Sequence, residues 1–169
     1  MQKTTSKWVE TADSLGIPSL EFEKTAAWVS AHCDYTASGD SYAYGIFAEG
    51  CASASAVVDI VYSRRAGPDL GWLKMLELTM GPEYSQSQIN TADTLLQIIR
   101  IYVTAILGTI ALTDTHKARV IKLFGRNDQL MTMLASVHLH LCAEAESSSD
   151  GKVLLTSKIE GRWLVISVS

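Results

Sequence analysis

Cysteine and proline are scarce, with three of each among 169 residues. Cys33, Cys51 and Cys142 are an odd number at no metal-like spacing. That excludes a disulfide-stapled scaffold and predicts reduced, semi-buried thiols in a cytoplasmic protein. The eleven glycines show no repeat, and charged types are only 19% against 47% apolar. A disordered, collagen-like or low-complexity chain is excluded. Positive charge is not in excess: 14 Lys and Arg face 18 Asp and Glu, for a net charge of −4. This argues against a nonspecific nucleic-acid binder and against a partner of anionic membrane surfaces. The start, Met1 to Lys7, lacks the apolar stretch of a secretory signal. Residues 95–112 are nearly all apolar, but Gln97 and Arg100 interrupt them. The clean run from Ile101 to Leu112 is about a dozen residues, where a membrane span needs about 20. The expectation is a buried core helix and no membrane association.

What is present suits one globular domain over residues 1–169. A chain of this length buries roughly two-thirds of its unfolded surface and needs no staple. Ser19, with Glu21 and Glu23 behind it, opens a predicted helix over 19–33. Residues 41–48 and 56–63 are rich in aromatic and β-branched types and predict strands. Residues 72–80 alternate by two and predict a third, giving an antiparallel meander. Gly81-Pro82 ends it. Asn90 or Thr91 caps the long apolar helix. Residues 119–124 predict a strand, and Asn127 or Asp128 caps a further helix. Lys152 to Ile159 and Arg162 to Val168 predict a hairpin turning at Glu160-Gly161. A helix between the third and fourth strands requires a parallel crossover within a mostly antiparallel sheet. The fold class is therefore α/β, with a mixed central sheet and helices on both faces.

This order resembles the GNAT (Gcn5-related N-acetyltransferase) superfamily over roughly residues 20–169. Leu76-Glu77-Leu78-Thr79-Met80-Gly81-Pro82-Glu83-Tyr84 resembles the end of the family's fourth strand. Arg119 to Leu123 followed by Asn127 resembles its fifth strand and the asparagine that opens the next helix. The resemblance implies an acetyl-CoA or other acyl-CoA cofactor and transfer of its acyl group to an amine. It implies that the backbone of Leu78, Thr79 and Met80 faces the thioester and that Glu77 takes the proton. The pyrophosphate would meet Ser85, Gln86, Ser87, Gln88, Ile89 and Asn90, with Asn127 nearby. In the family that loop carries R/Q-x-x-G-x-G/A. Here Ser85 replaces the first residue, and Gln88 and Asn90 replace the glycines. Leu134 stands about where the family has a tyrosine that protonates the departing thiolate. A non-catalytic GNAT-like binding or regulatory module that has lost CoA binding is thus the alternative expectation.

Other groups carry weaker signals. Glu77 has a plain structural reading as an ion pair, with Lys74 or Lys122 as partner. His138 and His140 flank Cys142 as H-x-H-x-C. On a helix the two imidazoles point about 200° apart and cannot chelate together, so no metal is expected. His32 beside Cys33 is the apparent basic neighbour of a thiol. Trp28, Trp72 and Trp163 read as core or rim packing, and Arg64 and Arg65 as a solvated turn, with binding of an anionic substrate or phosphate as the alternative. The acceptor is a small-molecule or protein amine, and the size suits a bacterial or phage cytoplasmic protein.

Overall fold

A computed structural model describes residues 2–18, 20–34, 40–63, 71–84, 91–147 and 155–168. Its elements are α1 (Gln2–Ser14), α2 (Leu20–His32), β1 (Ser41–Ile46), β2 (Ala56–Ser63), β3 (Gly71–Met80), α3 (Ala92–His116), β4 (Ala118–Phe124), α4 (Asp128–Ser147), β5 (Leu155–Glu160) and β6 (Trp163–Val168). A short 3₁₀ turn, Pro82–Tyr84, follows β3. The strands form one open sheet in the order β1-β2-β3-β4-β6-β5. β3 and β4 pair in parallel, while β4–β6 and β5–β6 pair antiparallel. The protein is therefore α/β with a mixed sheet, and the crossover through α3 is the parallel one expected from the element order.

By its contacts the chain divides into two compact units, Met1–Ile60 with Leu78–Leu107, and Val61–Glu77 with Gly108–Ser169. The first unit is built on α1, a helix in a stretch that is mostly polar by sequence. Thr4, Trp8 and Ala12 recur at i, i+4 and i+8 and are all buried. One large apolar residue in that stripe is a faint signal, but its polar atoms complete the packing. Trp8 Nε1 donates to the Ala54 carbonyl at 2.8 Å, and the Ala54 amide donates to Thr4 Oγ1 at 3.0 Å. Trp8 also meets Phe22 edge to face, with ring centroids 6.0 Å apart. Around them Val29, Ala43 and Val57 close a small core. Gly16, at φ +67°, lets the chain reverse so that the Ile17 amide reaches the Ala12 carbonyl at 2.9 Å. A Cβ would strain that left-handed residue.

In the second unit, strand parity decides what is buried. Leu73 and Met75 of β3, Ile121 and Leu123 of β4, and Leu164 and Ile166 of β6 form fully paired buried rows. Thr109 of α3 lies over this face, its hydroxyl 3.9 Å from Met75 Sδ. Leu134 of α4 is also buried. At the β6 turn, Gly161 takes φ +60°. The Gly125 amide donates to the Arg162 carbonyl at 2.8 Å, and Arg162 Nε donates back to the Gly125 carbonyl at 2.6 Å.

The expectation that residues 95–112 form a buried core helix is corrected. Ile101, Ala105, Ile106, Thr109, Thr113 and His116 give α3 one buried stripe. Leu95, Leu96, Ile99, Val103 and Leu107 are exposed. A helix packed from one side buries a single arc, however apolar the rest of its sequence is. Among the described residues α3 is the one helix long and apolar enough to cross a membrane, and 22% of its most apolar window is buried.

Candidate functional site

β3 runs on to Met80, but its ladder with β4 stops at Met75 opposite Leu123. β4 itself ends at Phe124, which pairs with Trp163 of β6. Residues 76–80 are therefore strand without a β4 partner in the ladder. Their N–H and C=O groups on that side do not enter the parallel pairing. Leu78, Thr79 and Met80 lie in this stretch and are half-buried.

Glu77 is on the same stretch, and its side chain is about half exposed at 51%. Its partner is neither Lys74 nor Lys122. Arg126 Nη1 donates to Glu77 Oε1, and the Arg126 side chain is itself exposed. Strand parity explains the choice. Lys74 and Lys122 are paired in register on one face, whereas Glu77 shares its parity with Leu73 and Met75. Lys122 instead places Nζ 3.9 Å from the Trp72 ring centroid and 4.0 Å from Glu160 Oε2. That contact is a cation–π interaction over a half-buried indole.

Sequence reading passed over a second carboxylate. Glu83 folds back so that a Cβ built on Gly81 would lie 2.6 Å from its Oε2. Burial of the carboxyl raises its pKa above the usual carboxylate value, and a backbone N–H partly offsets this. The Gly-Pro-Glu-Tyr turn was visible as a strand terminator, but nothing in it announced where the carboxyl would point.

The loop Ser85 to Asn90 lies outside the described residues. The start of α3 is described, and it serves itself. Thr91 Oγ1 accepts the Thr94 amide at 3.1 Å, and the Thr91 carbonyl accepts the Leu95 amide at 3.2 Å. Asp93 puts a carboxylate in the first turn. Both features suit a capped helix, and Asp93 opposes a phosphate at that end. Asn127 acts as the expected cap of α4. Its Oδ1 accepts the Leu130 amide at 2.8 Å, so the oxygen is committed locally. Leu134 is buried in packing.

The other candidates sort by their contacts. His32 Nδ1 lies 2.7 Å from the Trp28 carbonyl and its ring stacks on Trp28. His116 is buried beside Tyr62, and burial lowers its pKa below the ordinary histidine value. All three cysteines are free thiols. No group of three metal-ligating side chains occurs among the described residues. Arg64 and Arg65 lie outside them. No protein-family model and no curated protein sequence matches the chain.

Proposed function

We propose that the chain is a GNAT-like N-acyltransferase that moves an acyl group from acyl-CoA to an amine. The observation that carries this reading is the stretch of β3 beyond its ladder with β4, within a parallel β3–α3–β4 crossover. A strand edge beyond its ladder accepts an extended chain of amides by strand addition, and the pantetheine arm of CoA is such a chain. The thioester such a cofactor supplies is the acyl donor. The amides of Leu78 to Met80 would polarise its carbonyl, as backbone donors do in acyl transfer.

A carboxylate near this stretch would take the proton of the attacking amine. Glu77 is freed by breaking an exposed ion pair with Arg126, an interaction worth about 0–1 kcal/mol at a surface. Glu83 already holds its proton more tightly than an exposed carboxylate, which suits a base near neutral pH. Measuring acetyl transfer in Glu77→Gln and Glu83→Gln distinguishes them, the true base costing about 100-fold or more in kcat.

A second reading is supported by the α3 N-terminus. Thr91 caps it and Asp93 charges it negatively, so it offers an anion less than an ordinary helix start does. In that reading the fold is a binding or regulatory module without CoA. Titration calorimetry with acetyl-CoA tests both readings, on the wild type and on a Gln88→Gly/Asn90→Gly variant. Binding that tightens in the variant by about 1 kcal/mol or less supports the acyltransferase, because glycine opens the loop backbone at an entropic cost. No heat from either protein removes the acyltransferase reading and leaves the module.

A further inference from the structure

α4 and β5 bring a thiol, an imidazole and a hydroxyl together. His138 and Cys142 are four residues apart on α4 and so share one face. Cys142 Sγ lies 3.6 Å from His138 Nδ1 and 4.0 Å from Nε2. Ser157 of β5 places Oγ 2.9 Å from the same Nδ1. Strand parity points Ser157 toward the helix, since Leu155 and Ser157 are half-buried while Thr156 and Lys158 are exposed. Cys142 is half-buried. In the tautomer whose Nδ1–H donates to Ser157 Oγ, the basic nitrogen is Nε2, 4.0 Å from Cys142 Sγ. Nucleophile, adjacent base and a third group orienting that base through its other nitrogen are the three parts of an activated thiol.

Among the described residues, the other cysteines show no such arrangement. Cys33 is more exposed, and its thiol donates to the Ser30 carbonyl at 3.9 Å rather than facing a base. Cys51 is also exposed. Exposure alone would therefore rank Cys142 as the least reactive of the three. The local chemistry ranks it first.

We propose that Cys142 is a thiol-modification site that exchanges with small-molecule disulfides, with His138 as its base and Ser157 as a positioning residue. His138 takes the thiol proton as Sγ attacks one sulfur of the disulfide. The disulfide's S–S bond breaks, a mixed disulfide forms on Cys142, and the departing thiolate takes a proton from the imidazolium. One disulfide is consumed and one is formed, so no further oxidant is required. The reaction is separate from acyl transfer and stands whether or not CoA binds.

Glutathione disulfide is the probe, with mixed-disulfide formation at each cysteine followed by peptide mass spectrometry. In the wild type, Cys142 should react about tenfold or more faster than Cys33 and Cys51. His138→Gln should bring it to within about twofold of Cys33 while leaving the Cys33 rate unchanged. Ser157→Ala keeps both reacting groups and should slow Cys142 about threefold, with Ser157→Thr restoring the rate. Equal rates at the three cysteines in the wild type overturn the proposal without any variant. A Cys142 rate untouched by His138→Gln overturns it as well. No slowing in Ser157→Ala removes Ser157 from the assignment.

Discussion

Truncating two isoleucines of α3 tests how the long apolar helix is seated. Ile106 is 4% exposed and Ile99 is 43% exposed. Ile106→Ala deletes three buried carbons, worth about 2.4 kcal/mol of transfer at about 0.8 per methylene. The site cannot fully collapse around the loss, so the expected cost is about 3 kcal/mol. Ile99→Ala deletes the same atoms from a side chain that water already reaches. Roughly half the transfer term survives and no closed cavity forms. Alanine's better helix propensity returns a few tenths, leaving a cost below about 1 kcal/mol. Urea unfolding of both variants should therefore separate by about 2 kcal/mol, and by roughly 4–8 °C in Tm for a chain of this size. Similar costs for both substitutions would refute the one-sided packing. So would a larger cost for Ile99→Ala.

Three more outcomes follow from the described contacts. Trp8→Phe keeps most of the ring but removes the N–H that reaches Ala54, and should cost about 1–3 kcal/mol, read by chemical denaturation. His116 has a lowered pKa in the fold, so the unfolded chain binds more protons below the ordinary histidine value of 6.5. Stability should fall as pH drops from about 7 through that value toward the lower folded one, and His116→Asn should flatten the slope. An unchanged slope in Tm against pH would contradict the burial of that imidazole. A thiol titration of the denatured, unreduced protein should count three free groups, and fewer would contradict the free cysteines.

The alternating stretches were the legible part of the sequence. β2 falls at the expected residues, β3 and β4 within one, and the parallel crossover follows from a long helix between two strands. α1 was hidden because its buried stripe is Thr4, Trp8 and Ala12, two of them small, and its anchor is a backbone carbonyl 46 residues away. The exposed face of α3 was hidden for the opposite reason. Leu96, Ile99, Val103 and Leu107 are apolar whether or not anything covers them, and composition cannot say which arc faces the core. The partner of Glu77 needed strand parity carried to its end, which turns Lys74 and Lys122 away and leaves Arg126. The Cys142–His138 contact was readable from the i, i+4 spacing on a helix already assigned. Attention to the two histidines as a metal pair passed over it. Ser157 was not readable, since only tertiary packing brings β5 against α4.

The uncovered leucines of α3 also affect how the protein is handled at the bench. Reporter dyes that brighten on apolar surface do so because folded proteins normally hide such surface until they melt. Here Leu95, Leu96, Val103 and Leu107 present it in the native state. A dye-based melt would start from a bright baseline, and a dye seated on that stripe would compete with anything else that settles there. Melting is better followed by intrinsic tryptophan emission, for which Trp8, buried against Phe22, is a well-placed internal reporter.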